Sequence, residues 1–188
     1  MRATSLVALG LAVVSWVGLS RAERPRIELS VHGGYAREID PSVRGDLGPY
    51  RYGLGARAGV LFDRLFVGAW FTQHIGTTQT ASGPGSSYDA HYDAMLLGPE
   101  LGYELRFGEY VVVRPSLGGG LHRLAGHTSV QGITIDDASS RLYLSAAVLG
   151  MVRVRQAFFG PELRFLAAPL DLPGAWAPAV LLAGGARF

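Results

Sequence analysis

From residue 26 to the C-terminus, apolar and polar positions alternate with a period of two, the repeat of a strand with two unlike faces. Eight such segments can be drawn. They are Arg26–Arg37, Tyr50–Phe62, Leu65–Ile75, Tyr88–Arg106, Tyr110–Arg123, Ser140–Arg153, Ala157–Ala167 and Trp176–Phe188. In the first, Ile27, Leu29, Val31, Gly33 and Tyr35 share a face against Glu28, Ser30, His32 and Gly34. In the sixth, Leu142, Leu144, Ala146, Val148 and Val152 oppose Arg141, Tyr143, Ser145 and Arg153. Apart from Tyr88–Arg106, which is longer, these segments run from 11 to 14 residues, close to the roughly 9–11 with which a tilted strand crosses a bilayer.

The connections alternate in length. Short links fall at Asp63-Arg64, Phe107-Gly108-Glu109 and Arg155-Gln156, and long ones near 38–49, 77–87, 124–139 and 168–175. An even strand number with short turns at one end and long loops at the other predicts an all-β fold: an eight-stranded antiparallel up-and-down transmembrane β-barrel. Pro99, Pro115, Pro161 and Pro178 lie inside the proposed strands, where a missing N–H interrupts the ladder; bulges or strand ends are expected there. The run Gly98-Pro99-Glu100-Leu101 is echoed at Gly160-Pro161-Glu162-Leu163. Two copies read as two strands solving one packing problem.

The N-terminus has a different character. Met1-Arg2 is followed by an almost unbroken apolar run from Leu6 to Leu19, then by Ser20-Arg21-Ala22. This is the pattern of a cleaved signal peptide over residues 1–22, with the barrel domain over 23–188. Apolar residues make up 48% of the chain, yet no comparable run follows, so helical membrane spans are not expected. Cysteine is absent, which excludes disulfides, thiolate metal sites and a cysteine nucleophile. All seventeen basic residues are Arg; with Arg2 and Arg21 in the leader, fifteen face fifteen acids. A balanced chain of this kind gives no support for nucleic-acid binding.

The polar face is rich in Gly and carries isolated charges. An eight-stranded barrel has an interior just wide enough for side chains to fill. Arg57, Arg114, Arg153, Arg164 and Arg187 are therefore expected to meet Glu28, Glu100, Glu104 and Glu162 inside, as a closed ion-paired core. Aromatics near strand ends suggest two interfacial girdles: Tyr35, Tyr50, Tyr52, Tyr88 and Tyr92 toward the long loops, and Phe62, Phe66, Phe107, Tyr110, Phe158, Phe159 and Phe188 toward the short turns.

The final run, Val180-Leu-Leu-Ala-Gly-Gly-Ala-Arg-Phe188, is an alternating strand ending on Phe. With the leader and the strand Gly-Pro-Glu-Leu-Gly-Tyr103-Glu-Leu-Arg-Phe, it resembles the eight-stranded outer-membrane barrels of the OmpA and opacity-protein type. The resemblance implies a bacterial outer-membrane location and contact with outer-membrane lipid and lipopolysaccharide. It also implies that the barrel-assembly machinery reads Phe188. Its implication for activity is a structural or surface-interaction role through the outer loops. A narrow solute channel and a soluble lipocalin-like barrel with an apolar ligand are the alternatives.

Catalytic and cofactor chemistry is thinly represented, and no cofactor is expected. His127-Thr128-Ser129 resembles the His-x-Ser of lipid A deacylases but falls in a proposed loop, with Asp136 and Asp137 as the nearest acids. It is read as polar loop, not as an active site. Asp89, His91 and Asp93 share one face, with His74 across the loop; alternation along one strand does not make ligands converge, so no metal site is assigned. Gly118-Gly119-Gly120 lacks the helix and Lys of a phosphate-binding loop.

Overall fold

The computed structural model describes residues 24–37, 39, 49–83, 86–130, 133–167 and 176–188. The leader and most of the expected loops 38–49 and 168–175 lie outside these residues. Nine strands form one antiparallel sheet: β1 (Arg26–Ala36), β2 (Tyr52–Phe62), β3 (Leu65–Gly83), β4 (Ser86–Tyr103), β5 (Leu105–Phe107), β6 (Val111–Val130), β7 (Ile133–Val154), β8 (Ala157–Ala167) and β9 (Trp176–Arg187). β1 pairs β9 and β4 pairs β6, so the sheet closes on itself. β4 and β5 hold one register against β6 and are two parts of one wall stave, interrupted at Glu104. The wall therefore has eight staves. Closure removes the sheet edges, which membrane insertion requires because lipid cannot satisfy backbone groups.

The alternation resolves as an inside-out protein. Val31, Leu54, Leu117, Leu142, Leu182 and Val180 are 59–71% exposed on the outer wall, while Glu28, Arg114, Glu104 and Glu162 are fully buried in the lumen. A soluble barrel would show the reverse, so the lipocalin-like alternative is excluded. The outward apolar residues of β6 run from Val111 to Leu121 before Arg123, a tilted rise of about 25 Å that matches the hydrocarbon band of such barrels. The three short links are tight turns, with Asp63, Arg155 and Gly108 in left-handed backbone conformation.

The prolines correct the sequence reading. None causes a register shift; the irregularity in the β3–β4 ladder lies between Ile75 and Thr78, away from any proline. Pro99, Pro115 and Pro161 face outward, and each keeps its register on one side while the ladder on the other side is unmade. β4 skips its β6 partners at Gly98-Pro99, and β8 skips its β7 partners at Gly160-Pro161. The echoed motif does the same work in both strands. Its Gly lies where a Cβ would collide with a neighbouring backbone carbonyl, that of Gly119 at Gly98 and that of Gly150 at Gly160. Its Pro faces lipid, its Glu enters the lumen, and its Leu returns to the outer wall.

Two expected loops are strands. Residues 77–83 and 86–88 extend the β3–β4 hairpin, and residues 124–130 and 133–139 extend β6–β7. Residues 77–87 are rich in Thr, Ser and Gly, a loop-like composition, but branched Thr fits a pleated surface once a partner strand is in register. β3, β4, β6 and β7 thus rise together beyond the apolar belt as a four-stranded sheet.

Candidate functional site

The lumen holds two linked ionic clusters. In the one nearer the short turns, Arg114 donates to both oxygens of Glu28 (2.7 and 2.6 Å) and to Glu104 (2.8 Å). Arg187 donates to Glu28 (2.9 Å) and also binds Glu104. In the second, Arg57 donates to Glu162 (2.6 Å) and Arg164 to Glu162 (2.8 Å), Glu100 (2.7 Å) and the Ser145 hydroxyl (3.0 Å). Arg57 Nε stands 3.2 Å from Glu100 Oε1, an ion-pair distance without hydrogen-bond alignment. Four arginines and four glutamates therefore cancel in a space closed to water. The inward glycines make room: a Cβ at Gly59 or Gly68 would stand 2.6 Å from the Phe66 ring, over which Arg114 lies at 4.3 Å. Arg164 lies likewise 4.1 Å over Trp70.

Of the nine residues expected in this core, the structure brings eight together. Arg153 does not join. It points inward but is only partly buried and makes none of the cluster's ion pairs. Its place beside the Arg155-Gln156 turn puts it at the lumen mouth, near Glu104, which Arg114 and Arg187 already hold.

Toward the long-loop end the lumen is filled by a layer that sequence reasoning missed. His32 stacks on Trp70 (5.4 Å, 7° between planes) and lies 2.5 Å from the Thr72 hydroxyl. Tyr50 lies 2.9 Å from His122 Nε2 and edge-on to His74. Leu96, Leu166, Leu181 and Tyr143 complete it. The available signal was parity: His32, Trp70, Thr72, His74, His122 and Tyr143 all alternate in phase with the charged positions.

The same parity corrects most of the girdles: Phe66 and Phe158 are buried inside, and Tyr88 and Tyr92 lie on the lumen-side face, Tyr92 against Gly126. Tyr50, which precedes β2 and shares the phase of the outward Tyr52, is buried inside against that parity. Of the expected girdle residues, Tyr35 and Tyr52 remain exposed toward the loops and Phe62, Phe107, Tyr110, Phe159 and Phe188 toward the turns; Trp176, not among those expected, is also exposed toward the loops.

The candidate chemistry outside the lumen is dispersed. His74 is buried and opposite in parity to Asp89, His91 and Asp93, which face outward. His91 bonds Asp93 (3.0 Å) and Thr78 (3.0 Å), and no three ligands converge among the described residues. His127 and Ser129 lie on strand β6, not in a loop, and His127 Nδ1 is 2.7 Å from Asp136 Oδ1. No hydrogen bond joins Ser129 to His127 among the described residues, so a nucleophile–base pair is not formed.

No family model matches the sequence, and no curated protein matches it. Solved structures do. The chain is similar to the attachment invasion locus protein Ail of Yersinia pestis, with 17% identity and a TM-score of 0.54 over 88% of this chain and 100% of that one. It is similar to Neisserial surface protein A, at 11% identity and a TM-score of 0.54 over 90% and 100%. It is also similar to a major outer membrane protein of Thermus thermophilus, at 13% identity and a TM-score of 0.56 over 88% and 100%. At these identities the likeness shows the fold, that of outer-membrane β-barrels.

Proposed function

We propose that the protein is an integral barrel of the bacterial outer membrane that acts as a surface-interaction platform, with a lumen that does not conduct. The observation that carries this reading is the protruding four-stranded sheet. β7 pairs with β6 along almost its whole length, yet its pairing with β8 begins only at Leu144. Among the described residues, 133–140 thus present a strand edge beyond the apolar belt, with Ile133 and Ile135 exposed beside it. An exposed edge offers unpaired N–H and C=O groups to an extended segment of another protein, and apolar neighbours give it something to bury. The likeness to a protein named for attachment and invasion is in keeping with this role. The filled lumen supports the absence of a channel, and the outer wall supports membrane residence.

The test is a shortened hairpin. Removing residues 125–138 and joining Leu124 to Ser139 through Asn-Gly deletes the protrusion below which Leu121 and Leu142 still pair. Wild type displayed on a non-adherent bacterial host is expected to promote attachment to an epithelial cell layer. The shortened chain should fold equally and lose that attachment. Attachment equal to empty-vector cells for the wild type, or unchanged in the shortened chain, contradicts the proposal.

A further inference from the structure

The protruding sheet reverses the pattern of the wall beneath it. β6 and β7 hold one unbroken register from Val111↔Val152 up to Val130↔Ile133, so the parity of the lumen carries to the tip. Val130, Ile133 and Ile135 share the phase of the inward His122 and Tyr143, and they face the space above the lumen mouth at 39%, 68% and 59% exposure. Asp89, His91, His127 and Asp136 share the phase of the lipid-facing Leu97, Leu121 and Leu142. Within the belt the outer face is apolar. Above it the outer face is polar, and the inner face keeps exposed Ile. A strand added at 133–140 continues both faces at once, so its own side chains must alternate in the same way.

Charge narrows the partner further. Residues 76–93 and 123–140, which span the protrusion, carry Asp89, Asp93, Asp136 and Asp137 against Arg123. Asp136 and Asp137 are exposed on the edge strand itself, and Asp136, though bonded to His127, keeps a side chain 69% exposed. A second copy of this chain does not fit. Copies inserted the same way up are related by an axis along the membrane normal. Two β7 edges would then run parallel, join the apolar face of one sheet to the polar face of the other, and set their acids at the same height. The β3 edge of another copy, whose β2 ladder ends at Ile75, runs in the matching direction. Below Ile75, however, that strand would need the place beside β7 that β8 fills from Leu144 down. Resting on the docking role proposed above, we propose that the edge at 133–140 takes up an extended segment of another protein with apolar side chains on one face and Arg or Lys on the other. The apolar side chains cover Ile133 and Ile135 above the mouth, and the cations lie along the outer face beside Asp136.

The experiment uses the full folded chain in nonionic detergent and follows its backbone amide resonances. Three blocked synthetic peptides as long as residues 133–140 are titrated: Val alternating with Arg, Val alternating with Glu, and the Val–Arg composition reordered so that alternation is lost. Saturable shifts at residues 133–140 are expected with the alternating Val–Arg peptide, bound about tenfold more tightly than either of the others. The margin over the Glu peptide should shrink as salt is added. Asp136→Lys combined with Asp137→Lys, both at exposed positions, should reverse the preference between the Arg and Glu peptides. If that double variant fails to fold, Asp136→Asn reads the same contribution as a narrowed margin. The chain shortened across 125–138 should bind none of the peptides. Binding of the Glu or the reordered peptide at 133–140 as tight as that of the alternating Val–Arg peptide, or a preference unmoved by these substitutions, would overturn the proposed chemistry and leave the docking edge standing. No saturable shift at 133–140 with any peptide, or equal binding by the shortened chain, would overturn both.

Discussion

Glu162→Gln is the substitution that most directly probes the ionic core. Glu162 is fully buried and accepts 2.6 and 2.8 Å hydrogen bonds from Arg57 and Arg164. The amide keeps the volume and one acceptor oxygen, but it removes the charge and turns two donors toward two guanidiniums. Arg57 and Arg164 are left with Glu100, so four arginines face three glutamates in a space where both arginines are at most 2% exposed. Breaking one side of a buried ion pair costs roughly 3–5 kcal/mol, which is a large part of the 5–15 kcal/mol that holds a typical domain folded. Urea unfolding in lipid vesicles, read by tryptophan fluorescence, should show the midpoint falling with an unchanged slope. Replacing Glu162 and Arg57 together by Met and Leu should recover much of the loss, because an apolar pair leaves fewer stranded charges. A loss below about 1 kcal/mol for Glu162→Gln would mean that water already screens the cluster, and the sealed-lumen account would fail.

Other expectations rest on the same geometry. Val148→Arg places a charge on the lipid-facing wall near mid-membrane and should cost about 2–4 kcal/mol, whereas Ala125→Arg, above the belt, should cost under about 1 kcal/mol in the same unfolding assay. Gly160→Val forces a side chain into the Gly150 carbonyl and should abolish the heat-modifiable gel shift of the folded barrel. Phe188→Ala should lower the amount assembled in cells while leaving folding into detergent intact, because Phe188 is exposed on the outer wall; equal losses in both settings would show a purely structural role. In planar bilayers the protein should give no stable opening, and a reproducible conductance would restore the channel reading.

The period-two pattern carried much of the architecture. Parity alone places Glu28, Arg57, Glu100 and Arg164 inside and Leu29, Leu117 and Val148 outside, because a strand cannot turn one face to lipid without turning the other inward. What parity could not give was length. Thr78 and Ser129 read as loop because their strands leave the apolar belt, and with it the contrast between faces. Pairing partners such as His127 with Asp136 supply the order there, and these are set by cross-strand register, not local composition. Aromatic residues misled for a related reason. Phe66 and Phe158 lie near strand ends yet share phase with the charges, and phase, not position along the strand, decides which side a ring faces. Arg153 shows the complementary limit: parity gave its direction correctly, but depth along the barrel axis decides whether a charge finds a partner.

The central claim is that the apolar face meets lipid and the charged face meets itself. Single spin labels placed along β7 from residue 142 to 152, in vesicles, test it through accessibility to lipid-soluble oxygen. The account predicts high accessibility at 142, 144, 146, 148 and 152 and low accessibility at 143, 145, 147, 149 and 151. A reversed or absent alternation would contradict it.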